Sequence, residues 1–445
     1  MNNQFEYFLK NLLLCYDIEK SSIDYGNDGE GGISIIKNVE TDFWSERKAL
    51  DGSQIIWKKW KSINIPFLFE NDPAKDIITY ENGKARINYD IVASSFYLLS
   101  GWDEFTSAEK DGLGRIKYHG SLVQKLGISA LPVVNYYFDI LKEALEAVGK
   151  NKLRLNLWGE NKFAVLLSHD IDSCKRGWYK SAVSELRKKR FMSIPGLIFR
   201  RLFMKDEWFN FDEISQIEER FNARSSFYFL PQQGKAGEWE NADYNITSNS
   251  IQGVMSGLEA TGNEVGVHGS FGTHTSAERL RTDLQRINQE KVFGNRFHFL
   301  MFDPIRTVSV MAECDIKYDT SLCFAEKIGF RRATCFPFYL YDFKNNRPSE
   351  VMEIPLIVMD TTLADHKYMD MKPSDVLPAI SGLIDEVEKF GGVFTLLWHN
   401  TFFSEYKYPG WKEVYLKILK HLHSRKAFLS HGRAIYKKIK LRESD

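Results

Sequence analysis

Two hydrophobic patterns divide the chain. Over about the first 150 residues, short strand-like runs (GGISIIKNV, SQIIWKKW, IPFLFE) are separated by Gly/Asn/Asp turns such as Asn27-Asp28-Gly29 and Glu81-Asn82-Gly83. Residues 89–99 and 134–148 carry helical patterns, the second with Tyr137, Ile140, Leu141, Ala144 and Leu145 at helix spacing. Near Lys152 the character changes, and short, continuously apolar runs begin to alternate with amphipathic stretches. The runs are FAVLLSHD, SSFYFLP (225–231), EVGVHGS (264–270), RFHFLMF (296–302), EIPLIVMD (353–360) and VFTLLWH (393–399). Helical patterns cover 212–221, 275–292 and 373–390; the second places Ala277, Leu280, Leu284 and Ile287 on one stripe. Apolar strands separated by helices predict a parallel sheet or a β/α barrel, whose chemistry gathers just after the strands' C-terminal ends. The expected architecture is α/β: a smaller mixed α+β domain over 1–155 and a barrel domain over 156–445.

Composition narrows the partners. The 445 residues carry 59 basic and 59 acidic side chains, so no net charge draws the chain to nucleic acid or an anionic surface. No apolar stretch approaches the ~20 residues of a membrane-spanning helix, and the N-terminus lacks the order of a secretory signal. Five cysteines, never in Cys-x-x-Cys spacing, argue against a disulfide scaffold or cysteine zinc site and lead us to expect a cytoplasmic protein. The sequence sets no oligomeric state.

Four predicted strands end in polar residues suited to metal chemistry: His169-Asp170-Ile171-Asp172, Val267-His268-Gly269, Arg296-Phe297-His298 and Trp398-His399-Asn400. A single strand-end histidine is more often a hydrogen-bonded core residue; the coincidence at four strand ends is what points to a site. A carboxylate and two neutral imidazoles hold a divalent cation and leave a position open for water or substrate. A second carboxylate beside the cation can take a proton from water, and a further histidine can protonate a leaving group.

On these residues the C-terminal ~285 positions resemble the polysaccharide deacetylase (NodB-homology, carbohydrate esterase family four) superfamily, in a bacterial branch with an extra N-terminal domain. LLSHDIDS is similar to the family's first motif, which implies Asp170 as general base and Asp172 as metal ligand. EVGVHGS resembles the second, implying His268 as a ligand. TLLWHN resembles the last, implying His399 as general acid, and EIPLIVMD the penultimate, whose acid, Asp360, would orient a catalytic-site arginine. The segment 318–338, with Arg331, resembles this branch, and ASSFYLLSGWDEF and GLGRIKYHG resemble its accessory domain. The chain departs from the family at two points. The family's second histidine position is Gly272 here, so His298 in RFHFL, preferred, or His274 must be the third ligand. The Arg-x-Pro motif is absent, so Arg296 or Arg331 must serve. The resemblance implies a distorted NodB-type barrel, a divalent metal, zinc first, and hydrolysis of N-acetyl groups on a sugar of a glycan or glycan precursor. Two alternatives are a metal amidohydrolase acting on a non-sugar amide or imide, and a non-catalytic carbohydrate-binding protein.

Overall fold

The computed structural model describes residues 3–26, 32–107, 109–149, 155–175, 177–187, 195–196, 206–287 and 292–443. The expected turn at Asn27-Asp28-Gly29, the change of character near Lys152 and the end of the 275–292 helical pattern lie outside the described residues.

The larger part is built on Phe163–Ile171, nine residues that are all buried, as a continuously apolar strand flanked on both faces must be. On one side its C-terminal half pairs in parallel with Ser226–Phe229; Glu264–Gly269, Gly294–Phe297 and Tyr318–Asp319 follow, each parallel to the last. Arg347–Glu353 continues the sheet in parallel, and Phe338–Asp342 pairs with it antiparallel at the edge. On the other side come Val393–Leu397 and then Val358–Met359, while Ala427–Ser430 pairs with the central strand's first half. The ten-stranded sheet curls without closing, its ends being Phe338–Asp342 and Val358–Met359. It is a distorted β/α barrel, with the helices Phe211–Glu219, Asn249–Ala260, Ala277–Ile287, Val376–Phe390 and Trp411–Ser424 between its strands. The Val376–Phe390 helix stops where Gly391 turns left-handed (φ 63°), a conformation cheap only for glycine.

The expected strand over 296–302 is where local structure differs most. Pairing covers Gly294–Phe297, and the chain then turns at His298–Leu300 with Phe299 and Leu300 both at φ 57°. The expected strand over 353–360 is likewise reduced to Val358–Met359.

The smaller N-terminal part has a four-stranded sheet ordered Ile23–Tyr25, Ile33–Ile35, Lys84–Ile87, Ile78–Glu81, and a hairpin of Ile55–Trp60 with Ile63–Leu68. Asn82 and Gly83, both at positive φ, make the two-residue turn that matches strand twist. Helices Ile91–Ser100 and Val133–Ala147 pack on these strands.

The amphipathic helix Asn3–Leu12 buries Tyr7, Phe8 and Leu12. It docks on the barrel edge, where the Tyr7 hydroxyl donates to the Tyr339 carbonyl (2.7 Å) and Asn11 Oδ1 accepts from the Tyr339 N–H (2.7 Å). One apolar cluster therefore runs through both parts, from Tyr7 to Ile439. No described helix is long and apolar enough to cross a membrane.

Candidate metal centre and active site

Parallel pairing brings the polar strand ends to one mouth: Gly269 lies beside Phe297, and Leu397 beside Ser168. Asp172, just past the central strand, His268 at the end of its strand and His298 on the left-handed turn are the three that converge. His268 Nε2 lies 3.1 Å from His298 Nδ1 and 3.2 Å from Asp172 Oδ1; His298 Nδ1 is 3.5 Å from the same oxygen. Tetrahedral ligands at the ~2.0–2.1 Å of zinc–nitrogen or zinc–oxygen bonds are roughly 3.3–3.4 Å apart, so the donor triangle has the size a cation needs.

The outer sides of both rings fix their tautomers. His268 Nδ1 faces the Arg296 carbonyl at 2.8 Å, and His298 Nε2 faces the Glu240 carbonyl at 2.9 Å. A carbonyl can only accept, so each outer nitrogen carries the hydrogen, and each neutral ring turns a lone pair inward. Asp172 Oδ1 is buried with no aligned hydrogen-bond donor. Three electron-rich atoms thus face one point, which only a proton or a cation can occupy favourably.

Electrostatics agree. Burial pushes the His298 imidazole down to about 4, keeping it neutral. Burial works against a charged His268 as well, but the Asp170 charge and the close approach of Asp172 outweigh it and raise its pKa. Asp172 is held well below the usual carboxylate range: burial opposes its charge, and the surrounding imidazoles, His268 and His399 among them, outweigh burial.

Asp170 stands beside this triangle, its Oδ2 3.8 Å from His268 Nε2. Its Oδ1 accepts from Arg296 Nη1 at 2.8 Å. Arg296 is fully buried and is fixed by three further bonds, to the Thr320 carbonyl, Thr320 Oγ1 and Ser168 Oγ. Across the mouth, His399 Nδ1 lies 2.7 Å from Asp360 Oδ1, and the His399 backbone N–H donates to the other carboxylate oxygen. Its Nε2 is turned to the site, 3.8 Å from Asp172 Oδ2. Burial disfavours its charged form, yet the charge and hydrogen bond of Asp360, aided by Asp172 and Asp170, raise its pKa to about 9.

Asp170, Asp172, His268, His298 and His399 line a cavity of about 230 Å³ whose apolar side is formed by Phe299, Leu300, Ala325 and Met359. A larger cleft of about 610 Å³ between helices Phe211–Glu219 and Asn249–Ala260 holds none of them.

Asp170, Asp172, His268, His298 and His399 are therefore together, with Arg296 and Asp360 directly behind them. His274 is not: its ring packs 6.2 Å from that of Phe297, and burial lowers its pKa to about 4. Arg331 is also elsewhere, in a fork on the buried Glu104 of the N-terminal part (2.9 and 2.8 Å), with its third bond to the Cys323 carbonyl. Asp360 departs from its expected partner, holding His399 rather than an arginine. His169, between the site and the core, is buried and held by Glu218 and the Trp398 carbonyl, a structural role. Sequence reasoning missed Arg115, Asp365 and Tyr368, which also line the cavity. GLGRIKYHG, which contains Arg115, gave a signal only of domain likeness.

Residues 7–150 match the model of a family of unknown function, DUF7033. No curated protein matches the chain. Among solved structures, the chain is similar to a Mycobacterium smegmatis protein described as a polysaccharide deacetylase (12% identity, 64% of this chain and 92% of that one, TM-score 0.42). It is similar also to PuuE allantoinase (12%, 63% and 91%, TM-score 0.42) and to the peptidoglycan deacetylase PdaC from Bacillus subtilis (11%, 64% and 95%, TM-score 0.29).

Proposed function

We propose that the chain is a metal-dependent hydrolase that removes an N-acetyl group from a sugar of a glycan or glycan precursor. The observation that carries this reading is the inward-facing triangle of Asp172, His268 and His298, with a carboxylate and a second histidine on its flanks. Those three residues would hold the metal, and their two-nitrogen, one-oxygen donor set favours zinc. A divalent cation there supplies Lewis acidity toward an acyl oxygen and lowers the pKa of a water.

The chain's own residues supply the proton transfers. Asp170, oriented by its hydrogen bond from Arg296, is positioned to take a proton from the attacking water. His399, charged at neutral pH and oriented by Asp360, is positioned to give one to the departing amine. The products would be acetate and an amino sugar. Few cysteines without metal spacing support a cytoplasmic setting, hence a precursor rather than a finished wall polymer.

Zinc content and acetate release, wild type against His268→Ala, test the reading. We expect near one zinc per wild-type chain, none in the variant, and acetate release only from the former. Equal zinc in both would remove His268 from the site. A panel of N-acetyl sugars beside cyclic ureides and imides separates sugar from non-sugar amides.

A further inference from the structure

The N-terminal part reaches into the site. Its hairpin loop, closed by a bridge between Lys110 and Ile116, lies on segments of the barrel mouth. Arg115 Nη1 donates to the Phe299 carbonyl (3.3 Å), the Tyr118 N–H donates to Glu326 (3.4 Å), and the Tyr118 ring meets Phe324 edge-on at 5.3 Å.

The loop is built to display Arg115. Asp111 Oδ1 accepts from the N–H groups of Leu113 and Arg115, Oδ2 accepts from Arg115 Nε at 2.7 Å, and Gly114 (φ 85°) provides the left-handed corner. A guanidinium has five N–H groups. One goes to Asp111, one to Phe299 and one to the Tyr368 hydroxyl (3.4 Å), which leaves two without a partner among the described residues for an occupant of the cavity that Arg115 lines. The side chain is 14% exposed, so its orientation is set before any ligand arrives.

Resting on the reading above, we infer that Arg115 binds substrate and that its loop closes the site to one N-acetylated sugar unit, either free or at a chain end. The cavity of about 230 Å³ is below the ~300–1,000 Å³ of sites for larger ligands and suits a single acetamido sugar. An internal unit of a polymer needs a groove running past the metal on both sides, and on one side the 110–118 loop places Arg115 in the cavity lining, tied to Phe299 and Tyr368. Donors in a fixed fork suit sugar hydroxyls, and three tethers leave Arg115 little freedom to move aside.

The test uses the zinc-loaded full chain with N-acetylglucosamine and its linear tetramer, following acetate release and, by mass spectrometry, which unit is deacetylated. Wild type should accept the monosaccharide and take acetate from one terminal unit of the tetramer. Arg115→Ala should raise KM about tenfold with kcat within threefold, keep zinc content and Tm, and begin to release acetate from internal units. Arg115→Lys should recover part of the loss in KM.

Wild type acting on internal units, or Arg115→Ala with unchanged KM and product pattern, overturns the inference while leaving the deacetylase reading intact. The wild-type product pattern decides even if Arg115→Ala does not fold. A wild type that neither binds nor deacetylates either sugar overturns both.

Discussion

Asp170→Asn separates the roles of two carboxylates two residues apart. The Asp170 side chain belongs to the Arg296 pair rather than the donor triangle, so the variant should keep its zinc. Removing a buried charge partner typically costs about 3–5 kcal/mol. Here the asparagine Oδ1 can still accept from Arg296 Nη1, and the other three guanidinium bonds do not involve Asp170. The stability loss should therefore fall below that range, about 1–3 kcal/mol, since the hydrogen bond survives and only the charge is lost. An amide cannot take a proton from water, so kcat should fall about 10²–10⁴-fold, the usual worth of a general base. Asp172→Asn should instead lose zinc, because a neutral amide oxygen is a poor ligand beside two imidazoles. Zinc analysis, urea unfolding and acetate release on both variants are sufficient. The assignment of roles is refuted if Asp170→Asn loses its metal, or retains kcat within a few-fold.

His298→Ala should abolish zinc binding while His274→Ala leaves it intact; the opposite result in equilibrium dialysis would replace one ligand by the other. Glu104→Ala should destabilise the protein by about 3–5 kcal/mol in urea unfolding, because it leaves Arg331 and Arg332 buried without their shared carboxylate; a change within 1 kcal/mol would show the pairs to be marginal. Zinc affinity should weaken with falling pH through one proton rather than two. The raised pKa of His268 makes its proton the competitor: affinity is full above that pKa and is lost as pH falls through it. His298, with its pKa near 4, is already bare. Calorimetry in buffers of different ionisation enthalpy near pH 6 should show about one proton released per zinc, and none released would contradict this.

The sequence was most informative where a local pattern coincides with long-range order. The first five residues of the central strand, Phe163–Leu167, are apolar on both faces because they are buried on both, and Asp170 near its end and Asp172 just past it follow closely, so strand and chemistry were legible together. The last two strands at one end of the sheet, Arg347–Glu353 and the edge strand Phe338–Asp342, gave no such signal, because their long-range pairing is what identifies them. The helix Asn3–Leu12 is absent from the sequence-based elements, since what it buries against, Tyr339 and Tyr341, lies more than 300 positions away. Arg331 looked catalytic for want of knowledge of Glu104, and Asp360 could not be matched to His399 without the register of Val358–Met359 on Val393–Leu397.

On the proposed reading, having His298 as the third ligand and Gly272 in the place the resemblance reserves for a histidine has a physical logic. Gly272 stands at φ 83°, where any residue with a side chain is strained, whereas the nearest atom to a Cβ there, Arg279 Nη1 at 2.6 Å, is the end of a flexible side chain that can move aside. The following turn, Thr273–Thr275, is a single tight one rather than a helix, so no ring one turn on is presented to the metal. The next strand supplies the missing nitrogen instead, and to do so it must end early and swing His298 inward. Two consecutive non-glycine residues, Phe299 and Leu300, then sit in the left-handed region, a strain of order 1–3 kcal/mol each. Local strain of this size persists only where surrounding contacts over-determine it, and here they do. The Phe299 ring lies 3.8 Å from that of His298, the Phe299 carbonyl accepts from Arg115, and the Glu240 carbonyl fixes the far side of the imidazole. One of those restraints comes from the N-terminal part. The loop that narrows the cavity touches this turn through that single bond of 3.3 Å, so the ring contact and the Glu240 carbonyl carry most of the bracing, and losing Arg115 should leave the triangle of Asp172, His268 and His298 in place.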